Sequence, residues 1–313
     1  MSAKTGTGKY EKLLERCKSL EAIPTAVAHP CEESALAGAV EAAQAGLIDP
    51  ILVGPAAKIE QAARDANIDL GKLEIVDAPH SVDSAKRAVE LVKQGRAEVL
   101  MKGSLHSDEL LAAIVSREGG LRTGRRISHV FVMDVPTYHK VLIVTDAAIN
   151  IAPTLEDKAD ICQNAIDLVN SLRHDNPEKP KVAILAAVET VTSKMPATID
   201  AAALCKMADR GQIKGALLDG PLAFDNAISK QAAETKGIKS TVAGDPDILL
   251  VPDLEAGNIL AKQLTFLANA DSAGLVLGAK VPVILTSRAD SVRARIASCA
   301  VATLVAHARR TRL

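Results

Sequence analysis

The residues of this chain that could do chemistry follow short apolar segments typical of β-strands. The clearest pair is Ser287-Arg288, which comes after Val283–Thr286 and before a helical segment. A helix N-terminus offers free backbone N–H groups, and a guanidinium suits phosphate, so the pair is compatible with anion binding. A helix capped by Asp290 or Ser291, with an exposed arginine, explains the same residues equally well. Local sequence leaves both interpretations open.

Two further basic segments occupy comparable positions. Lys102-Gly103-Ser104 follows the apolar segment Glu98–Met101, and a glycine beside a basic side chain suits close approach of the backbone to phosphate. The glycine-rich loop before the next strand contains Arg122, Arg125 and Arg126 and could close over a polyanion. Solvated surface is the simpler interpretation of this loop, and it is preferred for Arg125 and Arg126.

Acidic side chains follow three other predicted strands. Asp146, Asp219 and Asp253 carry the oxygen ligands that magnesium prefers. Single aspartates at such positions more often accept hydrogen bonds from loop and helix N–H groups, so no metal is expected. Other motifs are incomplete: Gly6-Thr7-Gly8-Lys9 matches only the end of a phosphate-binding loop, and no G-x-G-x-x-G occurs.

The composition of the 313 residues argues against several classes of function. The 37 basic and 38 acidic residues give a net charge of −1, and aromatic residues make up 2 % with no Trp, so nucleic-acid binding is not expected. No apolar stretch approaches the ~18 residues of a membrane span. The five cysteines are scattered and never spaced as C-x-x-C, which predicts a reducing, cytoplasmic setting without a disulfide framework or zinc site.

The order of the apolar segments predicts an α/β fold. Strands are predicted at Thr25–His29, Ile51–Gly54, Leu73–Asp77, Glu98–Met101, His129–Asp134, Val141–Thr145, Val182–Val188, Gly215–Asp219, Ile248–Val251, Gly274–Leu277 and Val283–Thr286. Ala-rich amphipathic segments between most of them predict helices, as in repeated βαβ units around a mainly parallel sheet. Two pairs of strands follow one another directly, around Val135–His139 and Gly278–Lys280, and interrupt this alternation.

More than ten strands would be unusual for one open sheet, so two domains are predicted. The first comprises residues 1–130 and 274–313, and the second comprises residues 131–273. Because the strands are apolar on nearly every residue, helices are expected on both faces of each sheet. The prediction is therefore two three-layer α-β-α domains with mainly parallel sheets.

Taken together, the segments after the predicted strands resemble one known family. Ser287-Arg288, Pro252–Asn258, Leu218–Pro221 and Thr145–Asn150 are similar, in order and spacing, to motifs of the phosphate acetyltransferase and phosphate butyryltransferase family. The similarity runs from about Ala26 to the C-terminus. In detail it is greatest to acyltransferase modules fused behind an enoyl-CoA hydratase, although this sequence contains no hydratase segment.

This resemblance implies an activity and an assembly. The family transfers a short acyl group, here acetyl or butyryl, reversibly between coenzyme A and inorganic phosphate, with no covalent enzyme intermediate. Coenzyme A and phosphate are then substrates, and no cofactor is expected. The active site is implied to lie in a cleft between the two α/β domains. The chain is expected to form a homodimer through its second domain.

The resemblance also implies roles for particular residues. Ser287 and Arg288 match the catalytic Ser-Arg pair of the family, with Ser287 near the thioester or phosphate. Arg288 and Arg122 are expected to neutralise the charge of phosphate. The predicted substrate-binding residues are Arg122, Lys102, Gly103, Asn150, Asp253 and Asn258, of which the last three lie in motifs that line the family's cleft.

One position departs from the acetyl-specific members of that family. In those members an aspartate seven residues after the serine is proposed to deprotonate coenzyme A, and here the position is Ala294. Asp290 lies one helical turn away and cannot simply substitute. A general base contributes about 10²–10⁴-fold, while a few per cent of a thiol with a pKa of ~8.5 is already ionised near neutrality. Acyl transfer is therefore retained as the prediction, and the butyryl-type subgroup becomes a candidate.

Two other functions are compatible with the sequence. Ala294 fits a non-catalytic module that senses acyl-CoA without converting it. A metal-dependent dehydrogenase of similar architecture is the third alternative, but no cofactor motif supports it.

Overall fold

The computed structural model describes residues 8–173, 178–286 and 290–311, so the predicted catalytic pair, Ser287 and Arg288, lies outside the described residues. The described strands are β1 (Ile23–Ala28), β2 (Ile48–Gly54), β3 (Glu74–Asp77), β4 (Val99–Lys102), β5 (Ser128–Asp134), β6 (Leu142–Thr145), β7 (Lys181–Leu185), β8 (Leu217–Leu222), β9 (Ile248–Leu250), β10 (Asp271–Leu277) and β11 (Val283–Ile284). Each lies within or overlaps a predicted strand.

Helices separate most of these strands. They are α1 (Lys9–Cys17), α2 (Glu33–Gln44), α3 (Ala56–Asp65), α4 (Ser81–Lys93), α5 (Ser107–Val115), α6 (Leu155–Leu172), α7 (Pro196–Asp209), α8 (Phe224–Ile228), α9 (Lys230–Thr235), α10 (Leu254–Phe266) and α11 (Val292–Arg310). The predicted α/β class is confirmed. The first helix predicted from the sequence is Glu33–Ala45, so α1 was missed. The sequence also predicts a single helix over Asn226–Thr235, whereas α8 and α9 are separated at Ser229, whose hydroxyl accepts a hydrogen bond from the Ala232 N–H and caps α9.

The chain forms two compact units. The flanking unit comprises Tyr10–Arg125 and Ala273–Leu313, and the central unit comprises Arg126–Ser272 together with Lys9. The predicted domain boundaries at residues 130 and 273 stay a prediction.

In the flanking unit the strands lie in the order β3-β2-β1-β4-β11-β10. All neighbours in this series are parallel except β10 and β11, which are antiparallel. Every residue of β4 is buried, as expected for a strand covered on both faces. The exits of β1, β4 and β11 therefore lie side by side at one edge of the sheet.

In the central unit the order is β5-β6-β9-β7-β8, again parallel except for one pair, β5 and β6. The core contains Met133, Val144 and Leu249, which are at most 2 % exposed. The two direct strand connections predicted from the sequence thus join the two antiparallel pairs. Both connections are too short for the crossover that a parallel pair needs.

An ion-pair network holds the starts of β6, β7 and β9. Asp247, which is buried, accepts hydrogen bonds from Arg173 Nη2 at 2.5 Å and from the Lys181 N–H at 2.8 Å. Lys140 Nζ lies 2.9 Å from the same carboxylate. This carboxylate ties three segments of the central unit together.

Asp247→Asn is therefore expected to lower the free energy of unfolding. The change removes the charge that two cations share, and hydrogen bonds to charged groups contribute about 1.5–3 kcal/mol each. Urea denaturation followed by circular dichroism measures the effect. Asp49→Asn, at an exposed position of β2, is the matched control and should change the free energy by less than about 0.5 kcal/mol. Equal values for the two variants would contradict the role of Asp247.

The helix α11 is the longest in the described part of the chain. Most of its residues are buried, and among them is one arginine, Arg295. Within residues 8–173, 178–286 and 290–311, no helix has the length and apolar character needed to cross a membrane.

Candidate functional site

The exit of β4 places Lys102 and Gly103 beside the exit of β1. Lys102 is buried, and its ammonium group donates a hydrogen bond to the Gly103 carbonyl oxygen at 3.2 Å. A Cβ atom at Gly103 would lie 2.6 Å from the carbonyl oxygen of His29. Only glycine lets the two strand exits approach this closely.

Ser104 fixes the loop that leads from β1 into α2. Its hydroxyl donates to the His29 carbonyl oxygen at 2.6 Å and accepts from the Cys31 N–H at 3.1 Å. His29 has a φ of 57°, a left-handed conformation that is uncommon for residues other than glycine. The sequence analysis did not assign a role to Ser104, although it lies directly after the predicted Lys102-Gly103 pair.

A small cavity opens between these exits. It has a volume of about 10 Å³ and is lined by Glu32, Ser34, Ala35, Met101, Lys102, Gly103, Ser104, Thr286 and Arg295. Thr286 directly precedes the predicted Ser287-Arg288 pair in sequence. The flanking unit thus brings Lys102 and Gly103 together with the residue that leads into that pair.

The start of α11 is capped by Ser291, one of the two capping residues predicted from the sequence. Ser291 is the N-cap, and its hydroxyl accepts a hydrogen bond from the Ala294 N–H at 3.2 Å. Ala294, the position of the family's aspartate, is therefore the third residue of the first helical turn. Its side chain is a methyl group and cannot accept a proton.

Arg122 lies on a different loop of the flanking unit. The loop is held to the turn between β10 and β11: the Lys280 N–H donates to the Leu121 carbonyl oxygen at 2.9 Å, and the Thr123 hydroxyl donates to the Gly278 carbonyl oxygen at 2.5 Å. Arg122 itself is exposed and forms an isolated β-bridge with Ala279. Its backbone is thus fixed while its side chain reaches solvent.

In the central unit, Asp146 organises the loop after β6. Its buried carboxylate accepts hydrogen bonds from the backbone N–H groups of Ala148 at 2.9 Å, Ile149 at 3.0 Å and Asn150 at 3.2 Å. It also accepts from the Asn150 side-chain amide at 2.5 Å. All four of these donors belong to the loop that follows Asp146 itself.

The predicted substrate-binding residue Asn150 is buried and internally bonded. Its amide also donates to the Ile127 carbonyl oxygen at 2.8 Å, and its own side-chain oxygen accepts from Arg126 Nε at 2.7 Å. Arg126 was interpreted as solvated surface. Its side chain is 54 % exposed, as that interpretation expects, although its backbone N–H also donates to Asp160 at 2.8 Å. Asn150 thus orients a basic side chain.

Asp253 and Asn258 belong to the neighbouring strand exit, since β9 pairs with β6. Asp253 caps α10 by accepting from the Ala256 N–H at 2.9 Å. The Asn258 amide donates to the Ala147 carbonyl oxygen at 3.0 Å, next to Asp146. Asn150, Asp253 and Asn258 are therefore close together, and substrate contact by any of them stays a prediction.

The three acidic residues singled out from the sequence accept hydrogen bonds from N–H groups of their own segments. Asp219 lies inside β8 rather than after it, because that strand continues to Leu222. Its carboxylate accepts from the Gly220 N–H at 2.8 Å. Among the described residues, no group of three or more His, Cys, Asp or Glu side chains could hold a metal ion.

The cysteines do not provide a nucleophile at neutral pH. Burial raises the pKa of the Cys31 thiol, beside the β1 exit, to about 11. Burial likewise raises the pKa of Cys162 and of Cys299 to about 12. The thiolate is the reactive form of cysteine, so these thiols are inert near pH 7.

The protein has an α/β fold, and its polar residues lie in two places: at the exits of β1 and β4, and at the exits of β6 and β9. Proteins of this class bind small ligands at the exits of parallel strands. A family model described as phosphate acetyl/butaryl transferase matches residues 78–303. The chain belongs to this family, and the family predicted from the strand-exit motifs is confirmed.

Individual relatives agree with this assignment. The chain is 62 % identical over 302 residues to a phosphate acetyltransferase of Rhizobium meliloti, covering 96 % of this chain and 95 % of the relative. It is 41 % identical over 297 residues to a phosphate butyryltransferase of Clostridium acetobutylicum, covering 95 % of this chain and 98 % of the relative. The crystal structure of a branched-chain phosphotransacylase from Enterococcus faecalis is similar, with a TM-score of 0.77 and 30 % sequence identity. The similarity covers 90 % of this chain and 99 % of that structure's chain.

Proposed function

We propose that this phosphate acyltransferase is a phosphate acetyltransferase, which converts acetyl-CoA and inorganic phosphate into acetyl phosphate and coenzyme A. The observation that carries the proposal is the 62 % identity to a phosphate acetyltransferase along 96 % of the chain. The 41 % identity to a phosphate butyryltransferase makes butyryl transfer the second candidate.

The proposed reaction needs no covalent enzyme intermediate. A phosphate oxygen attacks the thioester carbonyl carbon, the carbon–sulfur bond breaks, and coenzyme A leaves as a thiolate that takes up a proton. Arg288 and Arg122 balance the charge of phosphate. The raised pKa of Cys31 supports direct transfer, because this thiol near the β4 exit is not ionised at neutral pH.

The test is release of free thiol from acetyl-, propionyl- and butyryl-CoA, with and without phosphate. Phosphate-dependent release that is fastest for acetyl-CoA supports the proposal. Unchanged release after dialysis against EDTA supports the proposed absence of a metal cofactor. Faster turnover of butyryl-CoA would overturn the acetyl assignment, and binding without release would favour an acyl-CoA sensor.

Ala294 leads to a pH prediction for the reverse reaction. With no carboxylate at that position to take the proton, coenzyme A reacts through the fraction of its thiol already ionised, and the thiol pKa is ~8.5. We expect kcat/KM for coenzyme A, with acetyl phosphate, to rise about tenfold per pH unit below pH 8. Ala294→Asp should flatten this slope. A rate that does not change between pH 6 and pH 8 in the unmodified protein would indicate another base.

We also propose that the protein is a cytoplasmic homodimer formed through the central unit. Large apolar side chains on α10 and at its end are exposed: Ile259 by 66 %, Phe266 by 74 % and Leu267 by 77 %. Such clustered apolar exposure is common where another protein surface binds. The five cysteines are all free thiols, as expected in a reducing compartment.

Phe266→Glu is expected to convert the homodimer into a monomer, since it places a charge in the apolar contact. Light scattering coupled to gel filtration measures the mass of each form. Lys262→Glu on the same helix is the matched control for added negative charge and should stay dimeric. A dimer that is unaffected by Phe266→Glu would place the interface elsewhere.

A further inference from the structure

Another, larger pocket of the flanking unit lies between the start of α2 and one face of α3. It has a volume of about 340 Å³ and is lined by Cys31, Glu33, Lys58, Gln61, Ala62 and Asp65. Pockets that hold small molecules measure about 300–1,000 Å³, so this one is large enough for part of a substrate. None of the substrate-binding residues predicted from the sequence lines it.

The two sides of this pocket come from different segments. On α3 the lining residues are spaced by three or four positions, which places them on one face of the helix: Lys58, Gln61, Ala62 and Asp65. Cys31 and Glu33 form the opposite side, before and at the start of α2. Burial raises the pKa of the Cys31 thiol, and the charge of Lys58 lowers it in part, so the two sides are close together.

The lining offers a cation, two carboxylates and a small apolar surface. Lys58 is exposed and forms neither a hydrogen bond nor an ion pair with any residue that the structure describes, so its ammonium group can bind an anion. Glu33 and Asp65 are exposed carboxylates that can accept hydrogen bonds from N–H donors. The methyl group of Ala62 and the thiol of Cys31 supply the apolar part. A flat ring that carries an amino group, linked to a phosphate, has the matching chemistry.

The position of the pocket relates it to the predicted reaction site of the same unit. The Cys31 N–H donates to the Ser104 hydroxyl at 3.1 Å, which ties one wall of the pocket to the β4 exit. The strands lie in the order β2-β1-β4-β11, with α3 following β2 and Thr286 following β11. Strands are about 4.8 Å apart, so β2 and β11 are separated by roughly 14 Å.

We propose that this pocket binds the adenine nucleotide end of coenzyme A, with the base against Ala62 and a phosphate at Lys58. The inference rests on the proposed function, which supplies the ligand. In coenzyme A the pantetheine arm joins the thiol to the nucleotide through about twelve bonds, as many as in four extended residues, or roughly 14 Å. A thioester held after Thr286 therefore places the nucleotide at the distance of α3.

A free adenine nucleotide would offer the same base and phosphate. The separation from Thr286 favours coenzyme A, because the pantetheine arm spans it and a free nucleotide has no such arm. The pocket is therefore assigned to the substrate rather than to a separate effector. Glu33 and Asp65 then accept hydrogen bonds from the amino group of adenine.

The experiment compares Lys58→Met and Ala62→Phe with the unmodified protein. KM is measured for acetyl-CoA and for acetyl-pantetheine, which has the same thioester but no nucleotide. Because solvent weakens the interaction of an exposed lysine, Lys58→Met is expected to raise KM for acetyl-CoA about threefold to tenfold. Ala62→Phe fills the pocket and should raise it by about tenfold or more, while KM for acetyl-pantetheine changes less than about twofold in both variants.

The matched controls are Ala57→Phe and Lys86→Met. Ala57 is an exposed residue of α3 that does not line the pocket, and Lys86 is an exposed lysine of α4 in the same unit. Both variants should keep the KM values of the unmodified protein. They separate loss of the pocket from the general effects of a bulky side chain or a lost positive charge.

A second readout is independent of turnover and uses adenosine 3′,5′-bisphosphate, the nucleotide of coenzyme A without its arm. Bound in the pocket, it should slow alkylation of Cys31 by iodoacetamide at alkaline pH, as followed by mass spectrometry. Cys205, which is also partly exposed but does not line the pocket, should react at an unchanged rate. If the unmodified protein shows no phosphate-dependent thiol release, the proposed function fails, and protection of Cys31 still tests the pocket.

Three results would overturn the proposal. The first is an unchanged KM for acetyl-CoA in both Lys58→Met and Ala62→Phe, which would place the nucleotide elsewhere. The second is an equal rise in KM for acetyl-CoA and acetyl-pantetheine, which would mean that the variants disturb the reacting end. The third is a change in the turnover of acetyl-pantetheine when AMP is added, together with protection of Cys31 by AMP, which would make the pocket an effector site for free nucleotides.

Discussion

Arg288→Ala is expected to lower kcat/KM for phosphate by a factor on the order of 10²–10³, the loss typical when one donor to a developing negative charge is removed. The guanidinium of Arg288 is assigned to the phosphate that attacks the thioester. As the phosphate oxygen bonds to the carbonyl carbon, negative charge moves onto the former carbonyl oxygen and then onto sulfur. A fixed positive charge beside the attacking phosphate stabilises this negative charge during the whole reaction.

The measurement is the initial rate of thiol release over a range of phosphate concentrations. Arg117→Ala, an exposed arginine of the same unit, is the control for loss of one positive charge and should leave kcat/KM within about twofold. Arg288→Lys keeps the charge but not the planar fork, so it should recover only part of the activity. Kinetics of Arg288→Ala that match those of the unmodified protein would remove Arg288 from the mechanism.

Asp146→Ala is expected to have the largest effect on stability. It removes the buried acceptor of four hydrogen bonds in the loop after β6 and leaves their N–H groups without that partner. Hydrogen bonds to a charged group contribute about 1.5–3 kcal/mol each, so loss of this acceptor is expected to cost at least that much. Because Asn150 and, through it, Arg126 lose their support, thiol release should fall as well.

Chemical denaturation gives the free energy of unfolding, and thiol release at a temperature where the variant is folded gives the activity. Asp49→Ala removes an exposed carboxylate and should change neither quantity appreciably. Asp146→Ala with full activity would show that the geometry of this loop does not matter for the reaction. Full stability would contradict the role of the carboxylate as the centre of the loop.

The sequence predicted the strands well because nearly every residue in them is apolar. A strand covered on both faces leaves little room for polar residues, so β4 and β6 were evident without knowledge of their neighbours. The end of β8 was misplaced. Asp219 and Gly220 are usual at a strand end, yet the strand continues to Leu222. Tertiary packing overrode local preference there.

The candidate site was predicted less completely, because its contacts join distant parts of the chain. Lys102 and Gly103 could be found from their position after a strand. Arg295 could not, since its carbonyl partner, Ser34, is 261 residues away. The only local indication was a charged residue within a helix rich in alanine and valine. The role of Asn150 in holding Arg126 was equally hidden, because it depends on a bond between two loops.

Formation of acetyl phosphate from acetyl-CoA and phosphate, measured together with free coenzyme A, tests the assigned activity most directly. Acyl transfer to phosphate predicts that the two products appear in equal amounts, that both require phosphate, and that both are lost in Arg288→Ala. Coenzyme A released without acetyl phosphate would indicate thioester hydrolysis. Binding of acetyl-CoA with neither product would contradict the assignment and make the chain a sensor.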